Sequence, residues 1–310
     1  MGTTQFGIPS LKAIAGKHDI AAVVTRCDSC KGRGLLECPT PIKEVSREMG
    51  LKVFEPVSLS DPQFINDLKA INADLFFVAA FRILPPSVFK IPPKGTINLH
   101  GSLLPDYRGP APINWAIIND EEKTGLTTFY IEETVDTGKI ILTREIPIDP
   151  DETAVELSCR MRLEGAELAL ETLDLIESGN APAIAQPIKC GKPAPKLFKQ
   201  DGRIDWEKDA RTIHNLVRGM NPFPGAFTDW CKGPLKIHRT RIVDEESAGN
   251  PGEIDSITPD GFVISCGKGK LLLLEIQPPG KKIMDGLSFT RGYRVEKGTC
   301  IFGKKLMEHK

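Results

Sequence analysis

An open, mostly parallel α/β sheet of the Rossmann-like kind, followed by a small C-terminal β-barrel of the OB-like kind, is the architecture this sequence predicts. Three observations carry it. Strand-like apolar runs alternate with amphipathic stretches as far as residue 120, the order that builds a parallel sheet covered by helices. Residues 73–80 (ADLFFVAA) are apolar at almost every position, as a strand buried on both faces must be. Beyond residue 226, short apolar runs separated by Gly, Pro and Asp turns replace the alternation, which is the spacing of a small barrel.

The elements follow in order. Gly2-Thr3-Thr4 reads as a turn feeding a helix over 9–15. No strand precedes that turn, so the sheet is expected to lack its first strand, with a central position open unless a longer upstream reading frame supplies roughly five apolar residues. Residues 21–24 form a compact strand, and 26–40 a long loop. Pro41 opens a helix whose apolar residues Ile42, Val45 and Met49 recur at helical spacing until Gly50. A short strand at 51–54, a helix opened by Asp61-Pro62 and reaching Ile71, the central strand at 73–80 and a short helix near Val88 lead to a strand ending at 97–100. A helix over 111–119 and strands at 126–131 and 139–147 come next. The amphipathic helix over 153–178 is capped by Asp151 or Thr153 and stopped by Gly179-Asn180. Residues 181–204 are rich in Pro, Lys and Gly and lack periodicity. The expected division is therefore a catalytic α/β domain at 1–180, a linker at 181–206 and a β-barrel domain at 207–310 that opens with a helix over 210–220.

Composition narrows the function. With 40% hydrophobic and 26% charged residues, the 310-residue chain has ordinary globular composition and enough length for a sizeable core. No run approaches the roughly 20 apolar residues of a membrane span, and no basic-apolar leader opens the chain. Eight scattered cysteines in a long chain point to a reducing cytoplasm and free thiols. Overall charge is −1, but the C-terminal part is basic, a hint of an anionic partner.

The chemistry is expected in residues 97–112, INLHGSLLPDYRGPAP. Asn98 and His100 are two apart, so they share one face of a strand. A strand core seldom holds two polar side chains on one face unless both have partners. The turns that follow lie outside the carboxyl end of the strand, where ligands bind in open α/β sheets. An imidazole there can move a proton near neutral pH, and an amide beside it can donate to an oxygen that becomes negative when a carbonyl is attacked. A carboxylate at Asp136, on the loop before Thr137-Gly138, can fix the imidazole. The set suits acyl transfer to an amine without a covalent enzyme intermediate. Each residue alone has a plainer reading: a satisfied strand-end group for Asn98 or His100, and a turn residue for Asp136. Arg108-Gly109 reads as a structural exit from the loop.

The run INLHGSLLPDYRGPAPINWAI with the later Val135-Asp136-Thr137-Gly138 loop resembles the formyltransferases that use 10-formyltetrahydrofolate. The likeness covers nearly the whole chain. It takes in Gly2-Thr3, Lys31-Gly32-Arg33-Gly34, Asn221-Pro222 and Gly298, while KLFKQDGRIDW at 196–206 and a β-barrel ending in Arg291-Gly292-Tyr293 are similar to the branch directed at initiator methionyl-tRNA. The resemblance implies that Asn98 binds the formyl oxygen, that His100 stabilises the oxyanion and assists proton transfer, and that Asp136 orients the imidazole and favours its charged form. It implies a folate site along Ser102, Leu103, Leu104 and Pro105, with 10-formyltetrahydrofolate as co-substrate and no metal. It also implies a basic loop, carrying Arg26, Lys31 and Arg33, that clamps the tRNA acceptor end; the plainer alternative is a solvated surface loop.

In the β-rich end Lys236, Arg239 and Arg241 are candidates for a positive track, diluted by Asp244, Glu245 and Glu246. Cys27, Cys30 and Cys38 depart from the family pattern. A fourth zinc ligand is not evident, since His18 lies outside the loop, and plain thiols or a redox pair fit better. The expected protein is a cytoplasmic monomer acting on tRNA, without membrane association. A formyltransferase for a sugar-nucleotide amine or a purine precursor, and a catalytically impaired tRNA-binding homologue, are the rival readings.

Overall fold

Prolines and short polar caps set where the chain turns helical. The computed structural model describes residues 1–31, 36–187 and 191–300. α1 (Ile8–Ala15) has a proline in its first turn and is followed by β1 (Val23–Val24), β2 (Ser29–Lys31) and β3 (Leu36–Cys38). α2 (Pro41–Glu48) starts where the Thr40 hydroxyl accepts from the Lys43 amide, and after β4 (Val53–Phe54) the Asp61 carboxylate caps α3 (Pro62–Ile71) in the same way. β5 (Phe76–Ala79), α4 (Pro86–Phe89), β6 (Thr96–His100), α5 (Pro112–Ile118), β7 (Lys123–Tyr130), β8 (Ile140–Pro147) and α6 (Ala154–Glu177) follow. Of the two expected caps for α6, Thr153 is the one in use. Its hydroxyl accepts from the Glu156 amide while Glu156 Oε2 accepts from the Thr153 amide, a capping box. The chain ends with α7 (Ala210–Gly219), β9 (Ala226–Trp230), β10 (Gly233–Asp244), β11 (Ile254–Thr258), β12 (Gly261–Ser265), β13 (Lys270–Gln277), β14 (Met284–Asp285) and α8 (Gly286–Tyr293).

Two compact units divide these elements. The first comprises Met1–Pro112, Lys123–Pro147 and Ser158–Pro195; the second comprises Ile113–Glu122, Ile148–Leu157 and Lys196–Lys310. In the first unit β1 pairs with β4 and β5 with β6, both parallel. β6–β7 and β7–β8 are antiparallel, so the expected parallel-strand sheet is a mixed one in which β7 runs against its neighbours. The strands' apolar pattern is right but carries no polarity, and the connection from His100 to Lys123, which includes α5, is long enough for either direction. Met1–Thr3 lies between the two parallel pairs. The Gly2 amide donates to Val24 O, the Ala79 amide to Met1 O and the Thr3 amide to Ala80 O, at 3.0, 3.0 and 3.2 Å.

Apolar clusters cover the sheet. Val24, Phe64, Leu68, Phe76, Val78 and Val88 form one, and Ile97, Ile141 and Ile176 belong to another. α6 reaches the sheet closely at Gly165, where a Cβ would stand 2.9 Å from Leu99 Cδ2. Ile97 and Leu99 thus take the covered face of β6, and strand alternation sends Asn98 and His100 to the other. Ile184 and Pro193 also join this unit: Ile184 and Ile140 exchange main-chain hydrogen bonds at 2.8 and 3.0 Å, and Arg108 pairs with Pro193.

The second unit holds an antiparallel sheet in the order β11-β12-β13-β10-β9, with β14 on β13. Its path runs from one edge strand to the other, so among the described residues the expected barrel is an open sheet. α8 covers its apolar side in place of a closing strand pair: Phe289 is fully buried and stacks on Phe262, with ring centroids 5.7 Å apart. No described helix is long and apolar enough to cross a membrane.

His214 of α7 is buried in this unit. Its Nδ1 meets Thr240 Oγ1 at 2.9 Å and its Nε2 meets Pro150 O at 3.2 Å. Burial, the largest influence, lowers its pKa below the ordinary histidine value despite the Pro150 contact. The unfolded chain therefore binds this proton at higher pH than the folded chain. The stability His214 contributes is complete above about pH 6.5 and is lost as pH falls towards the lower folded value. Urea midpoints measured between pH 7.5 and 5.5 should fall with pH, and the fall should be smaller in His214→Gln.

Candidate active site

β6 positions the site because its main chain is committed on both sides. Asn98 pairs with Val78 of β5 and Phe129 of β7, and His100 with Thr127, leaving their side chains to project from the carboxyl end. Asn98 is half-buried, and among the described residues its amide has no protein hydrogen-bond partner. His100 is only 6% exposed, and the ring lies edge-to-face on Phe129. Its Nε2 is 2.9 Å from the Tyr107 carbonyl, which can only accept, so Nε2 carries the proton of that bond. Nδ1 is left facing Asp136 Oδ2 at 3.9 Å.

The loop after β6 is pinned from within. Thr127 Oγ1 donates to Ser102 O at 2.7 Å and accepts from the Leu104 amide at 3.1 Å. The Ser102 hydroxyl turns back to Asp106 O at 2.6 Å, and the Leu104-Pro105 peptide is cis. Tyr107 adopts a left-handed conformation with φ 60°, which directs its carbonyl to the imidazole. Gly109 then has φ 124° and packs so closely that a Cβ would lie 2.4 Å from Ala194 O. Only glycine fits there, and its amide donates to Asp136 Oδ2 at 2.9 Å.

The carboxylate is therefore held by Gly109 and not by the histidine. At 3.9 Å from Nδ1 it acts as a neighbouring negative charge, while Tyr107 fixes the ring. The Asp136 loop is itself clamped. Gln186 Nε2 donates to Asp136 O at 3.1 Å and Gly138 O at 2.7 Å, and Gln186 Oε1 accepts from Arg108 Nε and Nη2 at 3.2 and 2.6 Å.

The structure thus brings Asn98, His100 and Asp136 to one mouth of the first unit's sheet, beside the 102–105 loop. Leu104 is buried, while Leu103 and Pro105 are partly exposed. Sequence reasoning missed Tyr107, Thr127, Phe129 and Gln186. Thr127 and Phe129 could have been found by their place two residues apart on the strand facing β6. Tyr107 works through its carbonyl and Gln186 comes from a stretch without periodicity, so neither left a signal.

The basic candidates are scattered. Arg26 is exposed; the side chain of Lys31 and all of Arg33 lie outside the described residues. Cys27 Sγ donates to Glu55 O at 3.0 Å, and the Cys30 side chain also lies outside the described set. In the second unit Lys236 pairs with Gln277 and Arg239 with Glu275, because a bulge at His238 puts residues three apart on one face. Arg239 is bound by Glu156, and Arg241 is exposed.

Known proteins resemble this chain in sequence and in fold. Residues 4–173 match the formyl transferase family, and residues 196–294 match the formyl transferase C-terminal domain. The methionyl-tRNA formyltransferase of Clostridioides difficile is 45% identical over 303 residues, covering 97% of this chain and 98% of that protein. That of Acetivibrio thermocellus is 42% identical over 304 residues, with coverage of 97% and 98%. Among solved structures, the sugar 3N-formyl transferase WlaRD aligns with a TM-score of 0.67 at 20% identity, over 91% of this chain and 97% of that one. An N-formyltransferase from Helicobacter canadensis aligns with a TM-score of 0.65 at 22% identity, over 88% and 97%. These two speak for the fold; the sequence matches, which take in the polar strand end, its loop and the C-terminal sheet, show that the chain belongs to the formyl transferase family.

Proposed function

We infer that this chain transfers the formyl group of 10-formyltetrahydrofolate to the α-amino group of methionine on initiator tRNA. Relatives more than 40% identical over nearly the full length support that substrate pair. The observation that carries the chemistry is the unengaged Asn98 amide beside a histidine whose ring is fixed and whose Nδ1 faces a carboxylate.

When the amine attacks the formyl carbon, negative charge collects on the formyl oxygen. Asn98 donates to that oxygen, and His100 adds positive charge when Nδ1 is protonated. The amine must lose a proton, and the folate nitrogen must gain one as the carbon–nitrogen bond breaks. His100 Nδ1 is the group placed to move it, with Asp136 stabilising the imidazolium from 3.9 Å. Leu103, Leu104 and Pro105 offer the folate an apolar border, and Ser102 supports that border from inside. Arg26, Lys31, Arg33, Lys236, Arg239 and Arg241 supply phosphate contacts to tRNA. The enzyme acts as a cytoplasmic monomer.

Mass-spectrometric detection of formylmethionyl-tRNA tests the reading. The wild type should formylate charged initiator tRNA, and formylation only of small amines, such as amino sugars, would overturn it. Asn98→Ala should lower kcat by about 10²–10³ and His100→Ala by about 10²–10⁴, with thermal unfolding unchanged within a few degrees. Asp136→Asn keeps an oxygen for the Gly109 amide but removes the charge. Its kcat should fall about tenfold or more, about 1.4 kcal/mol of barrier, while KM for tRNA stays put. Arg241→Ala should weaken tRNA binding and reduce the slope of log affinity against log salt by about 1.

A further inference from the structure

A primary amide has two N–H donors on its nitrogen and two lone pairs on its oxygen, and Gln186 uses all four. Nε2 donates to the carbonyls of Asp136 and Gly138, and Oε1 accepts from Arg108 Nε and Nη2. A guanidinium can only donate and a carbonyl can only accept, so the amide has one orientation here. The segment that carries it is tethered on both sides of Gln186. Ile184 pairs with Ile140, and Arg108 Nη2 also donates to Pro187 O at 3.2 Å.

Asp136 depends on that amide. Residues 132–135, which lead into it, are exposed, and Lys90 pairs with Glu133 there only at the surface. Asp136 itself takes a left-handed conformation with φ 55°, which few residues with a Cβ adopt. Thr137 Oγ1 donates to Thr134 O at 3.0 Å, a bond internal to the turn. Among the described residues, the bond from Gln186 is the one hydrogen bond on the Asp136 main chain. The carboxylate end is held separately, by the Gly109 amide. Because Arg108 and Gly109 are adjacent, these contacts close a ring. It runs from the guanidinium to Gln186, from Gln186 to Asp136 O, from Asp136 Oδ2 to the Gly109 amide, and back through the peptide to Arg108. Without Gln186 the ring opens at the point that sets the 3.9 Å between Asp136 Oδ2 and His100 Nδ1.

We propose that Gln186 is a positioning residue for formyl transfer, one that acts through Asp136 by holding the carboxylate where it stabilises the imidazolium. The assignment rests on the formyl-transfer reading of the site given above. It requires an amide of this length. Glutamate keeps both bonds from Arg108 but sets a carboxylate oxygen against the carbonyls of Asp136 and Gly138. Asparagine is one methylene short of them. Methionine fills the same volume and donates nothing. A group that held only the 184–187 segment would need the bond to Arg108 and no donor, so glutamate separates the two roles.

The test measures initial rates of the full 310-residue chain with 10-formyltetrahydrofolate and charged initiator tRNA. Gln186→Met and Gln186→Glu should each lower kcat about three- to tenfold, no more than loss of the Asp136 charge does, and leave both KM values within about twofold. In the Asp136→Asn background, Gln186→Met should change kcat by less than about twofold, because nothing is left for it to place. Additive losses, a loss carried by KM, or wild-type kcat in Gln186→Glu would overturn the proposal. Hydrogen exchange reads the same hold without turnover. The Gly109 amide, bound to Asp136 Oδ2, should exchange at least about threefold faster in Gln186→Met, while the Leu104 amide, bound to Thr127 Oγ1, should not change. Unchanged exchange at Gly109 would overturn the proposal as well. A wild type inactive on charged tRNA would overturn the formyl-transfer reading, whereas exchange at Gly109 tests the hold on Asp136 independently of it.

Discussion

The hydrogen bond from His100 Nε2 to the Tyr107 carbonyl decides what the site can do. A neutral imidazole has one proton and one lone pair, and this bond commits the proton to the protein side. Nδ1 is then the functional nitrogen, and it faces the Asp136 carboxylate. Were the ring turned over, its basic nitrogen would oppose a carbonyl oxygen, two acceptors in a buried place. That arrangement would leave a buried polar atom unsatisfied, a cost of about 1–3 kcal/mol. The ring orientation is thus enforced by a backbone group, and that group is aimed by the left-handed conformation of Tyr107.

The carboxylate depends on the same loop from the opposite end. Gly109 carries the amide that holds Asp136 Oδ2, and it can do so only because it has no Cβ to meet Ala194 O. Arg108, the residue before it, grips Gln186, and Gln186 in turn holds the carbonyls of Asp136 and Gly138. Residues 100–109 therefore carry the histidine, the carbonyl that orients it and the amide that places its partner charge. Asn98 stands free of this network, placed by its main chain alone, which both neighbouring strands hold in register.

How far the sequence spoke depended on whether a feature lives in side chains or in the backbone. Helix starts at Pro41, Asp61-Pro62 and Thr153 were legible because caps and prolines are local chemistry. Asn98 and His100 were legible because polar residues in an apolar strand are conspicuous, whereas Asp136, in an ordinary turn, stood out only through the family resemblance. The polarity of β7 was not, since Leu126, Thr127 and Thr128 would alternate equally well in either direction. The closed barrel failed for a related reason. Short strands at even spacing describe an open antiparallel sheet as well as a barrel, and Phe289 on α8 takes up the apolar face that closure would have covered. Tyr107 escaped notice because its side chain is irrelevant to what its carbonyl does, and Gln186 because nothing in residues 181–195 marks them as part of the α/β unit.

The catalytic geometry is built on the β6–β8 side of the first unit's sheet. Every contact that fixes His100 and Asp136 comes from β6, β7, the 101–109 loop or Gln186; β1 and β4 contribute none among the described residues. On its other side β6 pairs with β5, Phe76–Ala79 against Thr96–Leu99. Leu99 is meanwhile held from above by α6 at Gly165, and Ile97 is fully buried with Ile141 and Ile176. The chemistry therefore rests on the antiparallel half of the sheet, the half whose direction the residue pattern could not reveal.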